Sequence, residues 1–239
     1  MKRFEKHVVL VTGGSSGIGF ATARAFLAEG AKVAFTGRNA ARLGQAVRHL
    51  RSHGRVLGIR GDVSKASDAR RFIVRTERTL GPLDVLVNNA GIYLEKSTED
   101  LTEREWDRVL DINLKGAFLC TKYALPGMIR RKRGNIINVA SDSGLVATPL
   151  SSAYCASKGG LVLFTRVLAV DHARDGIRAN AICPGNVRPR CSIEMRRPRG
   201  SAKKSTTGAS SRPFRRNGRQ GQKKLRGRSF SWRVTRYPS

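Results

Sequence analysis

One short stretch, Thr12-Gly-Gly-Ser-Ser-Gly-Ile-Gly19, limits what this chain can fold into more than any other. It follows a continuous apolar run, Val8 to Val11, of the kind a parallel strand buried on both faces requires. It precedes residues 18–29, where Ile18, Ala21, Ala25 and Leu27 fall near one face of a helix that Gly30 stops. Glycines allow a tight turn and a close approach of backbone to ligand. The first N–H groups of the helix, with its dipole, favour an anion there. A glycine-rich turn alone is weak, but strand before and helix after make it specific. The pattern predicts a dinucleotide cradle built from Thr12, Gly13, Ser15, Ser16, Gly17, Ile18 and Gly19.

The same alternation continues down the chain. Strands are predicted at 32–36, 55–60, 84–88, 135–140 and 178–182. Helices are predicted at 40–52, 65–79, 102–131 and 152–174. This order predicts an α/β fold, a Rossmann-like doubly wound parallel sheet with helices on both faces. A domain boundary is placed at residue 188, with 1–188 forming the nucleotide-binding catalytic domain. Cys120, Cys155, Cys183 and Cys191 have neither metal-ligand spacing nor a disulfide pattern, so no metal is expected and a reducing compartment is. The apolar run at the N-terminus is too short for a signal peptide or a membrane span, which makes the cytoplasm the expected location. His7, His49, His53 and His172 neither cluster nor fall in a motif, and none is assigned chemistry.

Strand two ends in Gly37-Arg38, where an acidic residue would accept hydrogen bonds from the ribose of NAD. A guanidinium without that carboxylate suits the 2′-phosphate of NADP, so NADP(H) is favoured over NAD(H). Tyr154 and Lys158 lie four residues apart and share a helix face. A phenol of pKa about 10 is a poor proton donor or acceptor at neutral pH, and a neighbouring ammonium is expected to lower that value. Ser141, just past a strand, is expected to hydrogen-bond a substrate oxygen. Taken singly, each of these residues has an ordinary structural explanation.

Together, the spacing of Thr12-Gly13-x3-Gly17-x-Gly19, Asn88-Asn-Ala-Gly91, Asn113, Ser141 and Tyr154-x3-Lys158 resembles the short-chain dehydrogenase/reductase family, and in particular its 3-oxoacyl-ACP reductase-like members. The resemblance implies an oxidoreductase that moves a hydride between NADP(H) and a carbonyl or secondary alcohol, with Tyr154 passing the proton. It implies that Asn113, Ser141, Tyr154 and Lys158 are catalytic and that Asn113 anchors a proton-relaying water. It places Asp62 and Val63 by the adenine, and Asn88, Asn89, Ala90 and Gly91 along the cofactor. Tyr154 and Lys158 would also contact the cofactor, with Pro184, Gly185 and Val187 beside the nicotinamide. It further implies pairing through the helices that hold Asn113 and Tyr154, giving a homodimer or homotetramer. Leu145, Val146 and Ala147 point to a partly apolar substrate pocket.

The resemblance stops at Arg188. From Val187 to Ser239 there are seventeen Lys/Arg against one acid, out of a net charge of +29 for the whole chain, and no apolar period. Such a segment is expected to be disordered. Family members continue with a Thr, then a substrate-covering segment and a last strand, and none of these is present. One nucleotide lost near the Arg188 codon accounts for this. Rereading each codon as the last base of one residue plus the first two of the next permits Thr-Pro-Met after Arg188, Pro-Glu-Glu-Val-Ala from Gly221–Arg226, and Phe-Leu-Ala-Ser-Asp-Ala from Phe230–Arg236. All three are family-like, in order and in one register. Residues 189–239 are therefore read as an out-of-frame tail, the sheet as lacking its usual last strand, and this chain as impaired. The alternative is a non-catalytic protein that binds nucleic acid or an anionic membrane through the tail. Against it, the tail has no nucleic-acid fold and no basic amphipathic helix, although its charge would bind polyanions nonspecifically.

Overall fold

A computed structural model of the chain describes residues 2–185. The expectations for Val187 and for the tail lie outside them. Six parallel strands stand in the order β3-β2-β1-β4-β5-β6: β1 Val8–Val11, β2 Lys32–Gly37, β3 Val56–Arg60, β4 Val85–Asn88, β5 Gly134–Val139 and β6 Ile177–Ile182. The helices are α1 Gly17–Ala28, α2 Ala40–Leu50, α3 Ala66–Leu80, α4 Glu103–Leu110, α5 Gly116–Arg130 and α6 Ser152–Asp171. Chain order reverses direction between β1 and β4, and in open sheets of this kind a crevice opens there, at the carboxyl ends of the strands.

The period of two along each strand divides the core. Val8 and Leu10 of β1 join Leu86, Ile136, Phe72 and Met128 on the face covered by α3 and α5. Val9 and Val11 join Val33, Phe35, Phe20, Leu27 and Leu50 on the face covered by α1 and α2. All four β1 residues are buried, so one polar replacement in this strand would strand a polar group in either core. Cys120 lies in the first core, and burial pushes its thiol up to about 12, which leaves it chemically inert.

Two local expectations need correction. In α1 the buried face is Gly19, Phe20, Ala23 and Leu27, whereas Ile18 is exposed and borders the crevice. The reason is geometric: the turn fixes where the helix starts, so Phe20 and not Ile18 faces the sheet. The stretch expected as one helix over 102–131 is helical throughout but not α throughout: it opens with a Thr102/Glu105 capping box and passes through a π-helical turn at Asp111–Lys115. That turn holds Asn113, buried at 1% exposure. Among the described residues β3 and β6 are the edge strands, and Arg178, Asn180 and Ile182 of β6 are exposed on one face.

Candidate active site

The turn after β1 is locked before any ligand arrives. The Thr12 hydroxyl accepts the N–H groups of Asn89 and Ala90, both at 3.0 Å, and Asn89 Nδ2 donates to the Thr12 carbonyl at 2.9 Å. Gly17 has φ +55°, a left-handed conformation that favours glycine, and a Cβ there would meet nothing within 4 Å, so the backbone opens onto free space. Ser16 caps α1 without spending its side chain on the helix, and no acidic residue occupies the first turn. The first N–H groups and the dipole of α1 are therefore available to an anion, which is what a pyrophosphate needs.

From this turn a cleft of about 430 Å³ runs along Arg38, Asp62, Val63 and Asn89 to Gly91. A second cleft, of about 240 Å³, shares Ile18, Asn89, Gly91 and Ile92 with it and continues to Ser141, Tyr154, Lys158, Pro184 and Gly185. Apart from Asn88, the last residue of β4, every described residue expected at the site lies on one of the six loops at the carboxyl ends of the strands or on the helices that follow them. At the far end, a Cβ on Gly37 would lie 2.8 Å from Ser15 Oγ, so a side chain at this position would have to displace Ser15. Arg38 and Arg42 stand at the rim, and Arg38 reaches Asp62 at 3.8 Å. Arg42 escaped the sequence reading because its place in the cleft depends on how α2 begins.

The end that holds Tyr154 and Lys158 is held from three sides. Asn113 Oδ1 accepts the Ile92 N–H at 2.8 Å, while Nδ2 donates to the Ile92 carbonyl at 2.9 Å and to Ser157 Oγ at 3.1 Å. Both side-chain donors are thus committed, and Asn113 clamps the loop after β4 onto α6. Ser157, absent from the expectations, donates in turn to the Tyr154 carbonyl at 2.8 Å. A second buried chain runs from Asn88 Nδ2 to Asn138 Oδ1 and from Asn138 Nδ2 to Thr165 Oγ1, tying β4, β5 and α6 together. Gly144 lets the turn after β5 lie flat on α6, since a Cβ there would come within 2.7 Å of the Lys158 backbone. Tyr93 packs edge-on against Tyr154, with centroids 5.0 Å apart and rings at 89°, and hydrogen-bonds Ser151 at 3.0 Å. Only its place two residues after Asn-Asn-Ala-Gly could have flagged it. Leu145, Val146 and Ala147 are exposed, and none of them lines either cleft.

Tyr154 and Lys158 do share a face: the ammonium lies 5.7 Å from the phenol ring centroid. The electrostatics depart from expectation. Lys158 is 4% exposed, donates to the Val139 carbonyl at 2.7 Å, and is lowered by burial to about 8. Burial also pushes the Tyr154 phenol up; the Ser141 hydroxyl draws it partly back and Asp142 adds to the rise. The Lys158 head group spends a hydrogen bond on the Val139 carbonyl and makes none to the phenol.

Lys158 therefore costs stability, as active-site groups often do. Below pH 8 it is charged both folded and unfolded, and the burial penalty is present in full. Between pH 8 and about 10.5 the unfolded chain holds a proton that the folded one lacks, so stability rises with pH by up to about 3 kcal/mol. Lys158→Met is expected to stabilise the fold by about 2 kcal/mol at neutral pH, after about 1 kcal/mol is lost with the Val139 hydrogen bond. Its melting temperature should exceed that of the unaltered chain at pH 7, and the gap should close toward pH 10.

Comparison with known proteins agrees with this geometry. The short chain dehydrogenase family profile matches residues 7–200. The chain belongs to the short-chain dehydrogenase/reductase family. 2-(S)-hydroxypropyl-CoM dehydrogenase 3 of Xanthobacter autotrophicus is 44% identical over 186 residues, covering 77% of this chain and 73% of that protein. D-beta-hydroxybutyrate dehydrogenase of Cupriavidus necator is 44% identical over 177 residues, covering 74% and 69%. The crystal structure of levodione reductase superposes with a TM-score of 0.74 at 38% identity, covering 77% of this chain and 72% of that one. As a short-chain dehydrogenase/reductase, the chain is built for a nicotinamide cofactor and for small alcohol or ketone substrates. The relatives do not single out 3-oxoacyl-ACP reductases, and none of these names speaks for polyanion binding.

Proposed function

We propose that this chain carries the catalytic domain of an NADP(H)-dependent oxidoreductase acting on a carbonyl or secondary alcohol, with Tyr154 as proton donor and acceptor. The observation that carries the reading is the meeting of Ser141, Tyr154 and Lys158 at one end of a cleft whose other end is the open N-terminus of α1. When bound, the nicotinamide supplies or accepts the hydride. The chain does the rest. Gly13 to Gly19 hold the phosphates, and Arg38, with Arg42, faces the 2′-phosphate. Asp62 and Val63 border the adenine, and Asn89 to Gly91, Pro184 and Gly185 flank the path to the nicotinamide. Val187 is the further contact proposed there.

In reduction, Tyr154 gives its hydroxyl proton to the substrate oxygen as the carbon gains the hydride; in oxidation it takes that proton back. Ser141 hydrogen-bonds the same oxygen. Lys158, with ammonium protons beyond the one used on Val139, binds ribose and feeds the proton path. Asn113 keeps Ile92 and α6 in register around that path. Three free thiols among the described residues accord with a cytoplasmic setting. Exposed Phe118, Leu163, Val167 and Val170 on α5 and α6 offer an apolar face for a homodimer or homotetramer. The tail from residue 189 is proposed to be out of frame and the 239-residue chain to be impaired by it.

Cofactor choice has its own test. Arg38→Leu is expected to raise the KM for NADPH about 10- to 100-fold, the equivalent of about 1.5–3 kcal/mol for a charge-assisted hydrogen bond, with the KM for NADH nearly unchanged. Equal effects on both cofactors would overturn the NADP assignment. The activity itself is tested by nicotinamide oxidation against ketones, 3-oxoacyl thioesters and sugars. No turnover with any of them after the reading frame is restored would overturn the enzyme reading.

A further inference from the structure

A tyrosine left 53% exposed on a loop is ordinarily free to swing, but Tyr93 is not. Its hydroxyl meets Ser151 Oγ at 3.0 Å, and Ser151 Oγ in turn donates to the Pro149 carbonyl at 3.0 Å. A serine hydroxyl has one proton to give, so Tyr93 is the donor between the two. The Tyr93 proton is thereby committed, and its oxygen offers only lone pairs to anything else.

The loop that carries Tyr93 is pinned on both sides of it. One residue before, Asn113 holds both the N–H and the carbonyl of Ile92. Three residues after, the Lys96 N–H donates to the Leu150 carbonyl at 2.7 Å, and the Lys96 ammonium pairs with Glu105 at 2.8 Å. Leu150 accepts that bond with φ +56°, a left-handed conformation that a residue with a side chain keeps only where its surroundings hold it. The loop after β4 is thus stitched to the turn before α6, and the Tyr93 ring is held edge-on to Tyr154.

Tyr93 lines the second cleft together with Ile18, Ile92, Val139, Ala140 and Pro184. Among the described residues of that lining the one cation is Lys158, which is buried and donates to Val139. A fixed aromatic ring favours a flat apolar group packed against it. A phenol oxygen whose proton is committed has no hydrogen bond to give a carboxylate. We propose that Tyr93 is a specificity-determining residue: it forms a fixed wall beside Tyr154 and selects an uncharged ketone or secondary alcohol bearing a flat apolar substituent over one bearing a carboxylate. The proposal rests on reading Tyr154 as the residue that meets the substrate oxygen.

The test reads binding and needs no turnover. The full chain is labelled with 3-fluorotyrosine, and the resonances of residues 93 and 154 are assigned by their loss in Tyr93→Phe and Tyr154→Phe. With NADP⁺ present, acetophenone, acetone and benzoate are titrated in turn. Acetophenone is expected to move both resonances and to bind about tenfold or more tightly than acetone or benzoate, a margin within reach of an apolar pocket. Tyr93→Ala, read at the Tyr154 resonance, is expected to weaken acetophenone about tenfold and leave acetone unchanged, whereas Tyr93→Phe keeps most of the affinity. If Tyr93→Ala does not fold, Tyr93→Ser carries the same expectation. Acetophenone that fails to bind, binds no better than acetone or benzoate, or is indifferent to loss of the Tyr93 ring would overturn the proposal. So would a loss of all three ligands alike in Tyr93→Ala, the mark of a merely structural role. Acetophenone bound through Tyr93 but never reduced would count against the reductase reading alone.

Discussion

Tyr154→Phe is expected to lower carbonyl-dependent NADPH oxidation about 10²- to 10⁴-fold, the usual contribution of a positioned proton donor. The substitution removes one oxygen and leaves the ring, so the edge-on contact with Tyr93 and the packing of α6 survive. Cofactor binding should change little, because the phosphate cradle and Lys158 are untouched. The measurement is kcat together with the dissociation constant of NADPH, read by fluorescence. A fall in kcat at constant affinity assigns the hydroxyl to the chemical step, whereas a parallel loss of cofactor affinity would mean that Tyr154 acts by holding the site together. The direction of the Tyr154 shift adds a pH expectation. Burial raises the phenol above its ordinary value, so it stays protonated and ready to donate at neutral pH. Reduction should persist into alkaline solution, and oxidation, which needs the phenolate, should keep rising with pH through the range in which reduction is flat.

Restoring one nucleotide at the Arg188 codon is expected to raise turnover about a hundredfold or more over the 239-residue chain and to raise its solubility. All four residues proposed as catalytic precede that codon. Among the described residues, however, nothing pairs with the far edge of β6, and Ile182 is half exposed there. An uncovered strand edge and apolar surface favour aggregation. On the out-of-frame reading the family's substrate-covering segment is replaced, which would leave the carbonyl poorly positioned, and misplacement by about 1 Å can by itself cost about a hundredfold. The comparison requires both forms to be purified and assayed with the same ketones. An uninterrupted gene across codons 185–240, with full turnover from the 239-residue protein, would overturn the out-of-frame reading.

Much of this protein was written locally. The strand–glycine turn–helix unit at 8–29, the alternation of elements and the Tyr154–Lys158 spacing depend on contacts within a few residues, and each appears in the structure where periodicity and turn chemistry put it. The errors share a cause. Ile18 was grouped on one face with Ala21, Ala25 and Leu27 because helical spacing alone cannot say where a helix starts relative to its sheet. The π-turn at 111–115 was invisible because Asn113 is drawn inward by the backbone of Ile92, twenty-one residues away.

The sequence by itself determined the fold class and the family, and it supplied the glycine turn and the Tyr154–Lys158 spacing from which the site is proposed. Those follow from residue type at fixed short spacing, which a chain carries whether or not it has folded. Only the tertiary structure decided the charge environment. Lys158 is turned to Val139 and lowered, Tyr154 is raised, Ser157 joins Asn113 to α6, and Asp142 accepts a hydrogen bond from the Ser141 hydroxyl. Ionisation depends on desolvation and on partners brought from distant strands, and those distances exist only once β4, β5 and β6 stand side by side.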